Sequence, residues 1–186
     1  MKHVWALALI MVPLAACGPK RESLGRFGGT APSLLISTEL RTAGGESLGS
    51  AQVMQEADGV RVVAEVRGLP AGEYAIHLHA VGKCEGPGFT SAGPHFNPEA
   101  RAHGRATPGG GHAGDLPNLV MPASGRATYD HLQPGLRLAE GANPLLDADG
   151  AAVVIHAGPD DNVSDPAGNA GARIACGVLV RGIRIG

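Results

Sequence analysis

Apolar and polar side chains alternate along several short stretches of this chain, the period of strands with one buried face. The stretches are Ser33–Arg41, Gly49–Glu56, Val60–Val66, Glu73–His79, Ala127–His131, Ala151–His156 and Cys176–Arg181. Turn-forming sequences stand between them at Asp58-Gly59, Leu69-Pro70-Ala71-Gly72, Ser124-Gly125 and Asp149-Gly150, because glycine and proline supply backbone angles that other residues resist. No amphipathic helical stripe of any length occurs. Short strands at this spacing predict an all-β fold, a Greek-key β-barrel or sandwich of about eight antiparallel strands with long loops. Val81–Pro117 breaks the rhythm: it lacks a core pattern and exceeds an ordinary connection, so it is expected to be either functional or disordered.

Composition sharpens this picture. Among 186 residues there are 29 glycines and 14 prolines, against one Trp, two Tyr and three Phe. The core must therefore be aliphatic, and one domain of this length can bury a substantial one. A formal net charge of −2 gives no reason to expect a nucleic-acid partner.

The amino terminus bears on compartment. Lys2 and His3 precede an apolar run from Val4 to Ala16, too short to span a bilayer but suited to a signal sequence. The run ends Leu14-Ala15-Ala16-Cys17, which resembles the lipobox of bacterial lipoproteins. The resemblance implies a signal peptide over residues 1–16, lipidation at Cys17, a tether over 17–31 and a domain over 32–186. The protein is then expected to be an exported cell-envelope lipoprotein on a membrane, each buried methylene of the anchor contributing about 0.8 kcal/mol. The other reading is an ordinary secretory signal followed by a chance cysteine. Setting Cys17 aside leaves Cys84 and Cys176, an even pair that suits a bridge in an exported protein; both serving as soft metal ligands is the alternative.

Six of the eight histidines, with Asp115, carry the chemistry: His77, His79, His95, His103, His112 and His156. Residues two apart on a strand share a face roughly 6.6 Å apart, so His77 and His79 form half a site on a rigid element. His156 ends another strand and can join them. Three or four imidazoles with space for a small ligand suit a redox-active copper. His95, His103, His112 and Asp115 offer three nitrogens and one carboxylate, enough to close a four-coordinate structural zinc site. If both sites take four protein ligands, these seven residues suffice only when one histidine uses both ring nitrogens.

The segments around these residues resemble one family. They are Gly93-Pro94-His95-Phe96-Asn97-Pro98, His103-Gly104, Gly111-His112-Ala113-Gly114-Asp115-Leu116-Pro117-Asn118, Val153-Val154-Ile155-His156 and Gly168-Asn169-Ala170-Gly171-Ala172-Arg173-Ile174-Ala175-Cys176-Gly177-Val178. Together they resemble the copper–zinc superoxide dismutases, bacterial type, from about residue 32 to the carboxyl terminus. The intervals of eight, nine and three from His95 through His103 and His112 to Asp115 match that family's zinc loop. The resemblance implies an oxidoreductase that dismutes superoxide, with one copper and one zinc per subunit. It implies copper on His77, His79, His95 and His156, zinc on His95, His103, His112 and Asp115, and His95 as the shared ring. It further implies a Cys84–Cys176 disulfide, Asp160 as a carboxylate linking a copper histidine to a zinc histidine, and Arg173 as the anion-guiding cation. His95 and Arg173 are thus the expected catalytic residues, and protection of the envelope from superoxide the expected role.

Departures from the better-known eukaryotic members are visible. Between Asp161 and Arg173 the sole charge is Asp165, and Ala167 stands where a threonine is usual. Lys83 is expected to take over part of the steering. Homodimer and monomer both remain open, as do a non-enzymatic copper-binding or copper-delivery module and a zinc-only domain on the same fold. His131 belongs to no motif and reads as an exposed strand residue.

Overall fold

A computed structural model describes residues 34–181. The predicted signal peptide, Cys17 and the tether lie outside the described residues, as does Ser33. Nine strands form among the described residues: β1 (Leu35–Arg41), β2 (Ser47–Gln55), β3 (Gly59–Arg67), β4 (Gly72–Tyr74), β5 (Ile76–His79), β6 (Leu119–Met121), β7 (Arg126–Pro134), β8 (Ala151–His156) and β9 (Arg173–Leu179). A single 3-10 turn, Thr90–Ala92, interrupts the long loop, and no α-helix occurs among the described residues.

Seven strands make one antiparallel sheet in the order β5-β8-β9-β1-β2-β3-β7, and β4 pairs with β6. A late strand, β9, returns to lie beside the first of three hairpin-linked strands, which is Greek-key order. One aliphatic core draws residues from every strand, including Leu40, Val53, Val62, Leu78, Leu119, Met121, Val153, Ile155 and Leu179, so the sheet curls around it.

Two expectations are corrected. The stretch Glu73–His79 is not one strand but two, β4 and β5, in different sheets. The break falls at Ala75, whose N–H donates to Gly158 O at 2.8 Å and whose carbonyl accepts from His156 N–H at 2.9 Å. At the carboxyl end the strand begins at Arg173 rather than Cys176 and stops at Leu179. The three-residue β6 was not anticipated, being too short for alternation to register.

β8 is buried along its whole length. Its Val153 and Ile155 face the main core, whereas Ala152 and Val154 pack outward against Phe89, Ala92 and Cys176. The long loop therefore supplies part of its own ordering energy. Phe89 and Ala92 cover β8, and Phe96 and Leu116 enter the main core, each large side chain stabilising by about 1.5–3 kcal/mol. Cys84 in this loop is bonded to Cys176 of β9, with Cα atoms 5.7 Å apart and 92 residues between them in sequence. Closing so long a loop contributes roughly 4–5 kcal/mol in the chain-entropy model.

Candidate metal centre

β5 is an edge strand, and its free edge assembles the site. Phe96 N–H donates to Leu78 O at 2.8 Å, Leu78 N–H to Gly114 O at 3.0 Å, and Gly114 N–H to Phe96 O at 2.8 Å. Two segments of the long loop are thereby laid along β5, bringing Asp115 opposite His77 and His95 opposite His79. This approach needs glycine at 114, since a Cβ there would stand 2.3 Å from Leu78 O. On the other side β8 pairs with β5 and delivers His156 at its end. All seven predicted ligands are buried and come together in two groups sharing His95: His77, His79, His95 and His156, and His95, His103, His112 and Asp115.

Hydrogen bonds fix which ring nitrogen each histidine presents. Carbonyl and carboxylate oxygens only accept here, so the nitrogen facing them carries the proton. His79 Nδ1–H donates to Gly93 O at 2.9 Å and His156 Nδ1–H to Gly171 O at 3.2 Å, leaving both Nε2 lone pairs inward. Asp160 accepts from His77 Nε2–H at 2.8 Å and from His103 Nε2–H at 3.0 Å, leaving both Nδ1 lone pairs free. Five buried ring nitrogens end without a hydrogen-bond partner: His77 Nδ1, His79 Nε2, His95 Nε2, His103 Nδ1 and His156 Nε2. Four of them belong to the first group.

In the second group Asp115 is the hub. Its Oδ2 accepts from the backbone N–H of Gly104 and of His112, both at 2.9 Å. Its Oδ1 lies 2.9 Å from His95 Nδ1 and 3.2 Å from His112 Nδ1, and its Oδ2 lies 3.1 Å from His103 Nδ1. Asp160 is held as firmly. Its N–H donates to Asn118 Oδ1 at 2.9 Å, Asn118 Nδ2–H returns a bond to its carbonyl at 3.0 Å, and Asn162 N–H donates to Oδ1 at 2.7 Å. Gly168 leaves room for this carboxylate, because a Cβ there would fall 1.8 Å from Oδ1 at a φ of +62°.

This donor set fits two metal ions. A buried polar atom without a partner costs about 1–3 kcal/mol, so five cost on the order of 5–15 kcal/mol, comparable with the roughly 10–16 kcal/mol a structural zinc returns on binding. Three of the rings are also held in the neutral, ligating form. Burial pushes His79 down to about 2, His156 to about 3 and His95 to about 4. Asp115 is raised by burial, but hydrogen bonds from His95 and Gly104 outweigh this and hold it at about 2.

A prediction follows for the metal-free protein. Folded-state values below the ordinary histidine value of about 6.5 mean that the unfolded chain takes up protons first as pH falls. The stability these rings contribute is complete above about pH 6.5 and is lost progressively below it, by up to about 1.4 kcal/mol per pH unit for each histidine. Urea unfolding of the metal-free protein between pH 7.5 and 4.5 should show a falling midpoint; a flat profile would contradict the burial of these rings.

A cleft of about 930 Å³ is lined by His95, His156, Thr90, Ala167, Asp165, Arg101 and Arg173. Arg173 donates through its two terminal nitrogens to Phe89 O at 2.7 Å and Gly93 O at 2.8 Å, which fixes the guanidinium at the cleft wall. Lys83, expected to steer, is not part of this lining; Arg101 is. Arg101 was missed because it matches no ligand type, although its place between His95 and His103 puts it on the same loop. Asn118 stands at the end of the Gly111–Asn118 motif, and nothing in its spacing discloses its paired bonds to Asp160.

The comparisons with known proteins agree with this geometry. Residues 47–179 match the family model described as copper/zinc superoxide dismutase (SODC). The chain is 45% identical over 155 residues to superoxide dismutase (Cu-Zn) 1 of Aquifex aeolicus, covering 79% of this chain and 92% of that protein. It is 41% identical over 143 residues to the superoxide dismutase (Cu-Zn) of Caulobacter vibrioides, covering 75% and 82% respectively. Among solved structures it is similar to a double mutant of a SOD-like protein from Bacillus subtilis, with a TM-score of 0.74 at 38% identity over 78% of this chain and 97% of that one. The Cu/Zn superoxide dismutase from Brucella abortus gives a TM-score of 0.64 at 26% identity, over 78% and 99%.

Proposed function

The chain belongs to the copper/zinc superoxide dismutase family, and on that premise we propose which of its residues carry the dismutation of superoxide and where in the cell it acts. Two superoxide anions and two protons give one oxygen and one hydrogen peroxide, with copper and zinc as cofactors. His77, His79, His95 and His156 hold copper; His95, His103, His112 and Asp115 hold zinc. The observation that carries this assignment is the convergence of four buried, unpartnered ring nitrogens, two of them on His95 and His156, which line the cleft. When bound, copper supplies the reversible one-electron exchange that the two half-reactions need.

The chain's own residues supply the rest. Arg173, fixed by two backbone carbonyls, attracts the small anion and holds it by charge-assisted hydrogen bonds against the cleft wall. His95 lines the cleft, and its Nε2 is the atom where a proton is held and returned to the departing peroxide. Its other nitrogen faces Asp115, so the ring keeps its place while Nε2 changes state. Asp160 keeps His77 and His103 in their ligating tautomers through one carboxylate. A copper-delivery module would need neither this linkage nor a cation fixed beside the cleft.

His77→Ala tests the assignment. After loading with both metals, the variant should lose copper and superoxide consumption while keeping zinc. Full copper with undiminished turnover would refute it.

The same proposal places the domain of residues 32–186 at the cell envelope, exported by the segment 1–16 and anchored through lipid on Cys17 by the tether 17–31, where it removes superoxide arising outside the cytoplasm. The lipobox-like run and the disulfide, a bond of oxidising compartments, support it. Cys17→Ser should release the protein from the membrane fraction; unchanged membrane association would refute the anchor.

A further inference from the structure

Among the described histidines, His131 alone stands outside the metal centre. It is half-buried rather than exposed, and it is part of an ordered array on β7. Tyr129, His131 and Gln133 alternate along that strand and so project from one face. Tyr129 O–H donates to Pro117 O at 3.1 Å, and Gln133 Nε2–H donates to Ala113 O at 3.1 Å. His131 lies between them, its Nε2 3.0 Å from Gln133 Oε1 and its ring centroid 6.5 Å from that of Tyr129.

The two carbonyls bracket Asp115. Positions 129 and 133 are as far apart in sequence as 113 and 117, and the two donors take the carbonyls at the two ends of that five-residue segment. The donor pattern is also determinate. If the Gln133 amide nitrogen donates to Ala113, its oxygen faces His131, which must then present an N–H. That bond prevents the amide from flipping. Burial raises the Tyr129 phenol above its ordinary value, so its O–H stays a donor. On the opposite side Leu78 and Phe96 hold the Gly114 peptide.

We infer that Tyr129 and Gln133, the latter oriented by His131, are positioning residues that set zinc affinity by fixing the peptides on either side of Asp115. This rests on the reading that His95, His103, His112 and Asp115 hold zinc. Asp115 offers oxygens to three histidines from one short segment, so a shift of that segment misplaces the whole donor set. Supporting partners of this kind are typically worth about 10–100-fold in metal affinity.

Two near-isosteric variants test it. Gln133→Glu keeps the shape and the acceptor for His131 but sets an oxygen against Ala113 O. Tyr129→Phe removes only the hydroxyl. Tyr74→Phe is the control, since its hydroxyl donates to Pro70 O at 3.0 Å, a residue outside both ligand groups. The full chain is loaded with zinc alone and its zinc dissociation constant measured by competition with a chromophoric chelator, alongside urea unfolding of the metal-free form. Gln133→Glu should weaken zinc binding by about 10–100-fold and Tyr129→Phe by about tenfold, with Tyr74→Phe unchanged. Zinc affinities within twofold of the unaltered protein in both variants would overturn the inference, whatever happens to the unfolding midpoint. If His112→Ala binds zinc as tightly as the unaltered chain, the ligand assignment itself fails and takes this inference with it.

Discussion

His95→Ala is expected to empty both metal sites at once, and with them to abolish superoxide consumption. His95 is the one residue common to the two donor groups, its Nδ1 facing Asp115 at 2.9 Å and its Nε2 buried without a partner. Alanine therefore removes one donor in four from each group. Loss of a direct ligand exceeds the roughly 10–100-fold that loss of a supporting partner costs, so both dissociation constants should rise by more than about 100-fold, or about 2.8 kcal/mol per site. Single-site variants give the contrast. His156→Ala should weaken copper alone and His112→Ala zinc alone. Chelator competition and metal stoichiometry on the three variants check this; a His95→Ala protein that loses only one metal would break the idea of a shared ring.

The second large effect belongs to Asp160, which touches neither cleft nor substrate. Its two oxygens each accept one imidazole N–H, from His77 and from His103. Asparagine conserves the shape but can accept on one oxygen only; its amide N–H groups face a second N–H. One of the two rings must then turn or exchange tautomers, and the nitrogen it presents to metal is lost. Asp160→Asn should weaken binding at the affected site by about 10–100-fold and lower turnover per added copper accordingly. Unchanged affinity at both sites would mean that the linkage is decorative. Asp160 is also held well below the usual carboxylate range: burial opposes ionisation, but the bonds from His77 and His103 prevail. The linkage therefore persists through any pH at which the rings remain neutral.

Much of this was legible in the residues. β1, β2, β3 and the start of β7 follow from alternation because each has a face on one aliphatic core, whereas β8, buried on both faces, reads as a continuous apolar run. The two clusters of histidines with Asp115 follow because imidazole and carboxylate are costly to bury without a task, and their spacing in the sequence repeats a known pattern. The break between Tyr74 and Ile76 was hidden, since both are apolar and in phase; what separates them is the pairing of Ala75 with Gly158 and His156, a contact across some 80 residues. The loop's own anchors were hidden for a similar reason. Phe89, Ala92, Phe96 and Leu116 show no period, and only the fold reveals which core each enters. Asn118 and Gln133 were illegible because hydrogen bonds to distant backbone leave no mark in local sequence, and Arg101 because it matches no ligand type. The steering expected of Lys83 rests on its charge; it does not line the cleft, whereas Arg101 does.

Diffraction at the copper and zinc absorption edges on crystals of the fully loaded protein decides whether two unlike ions share the His95 ring. A copper signal should be enclosed by His77, His79, His95 and His156, a zinc signal by His95, His103, His112 and Asp115, with the imidazole of His95 between them. One kind of ion at both places, or a His95 ring that touches only one of them, would contradict that arrangement.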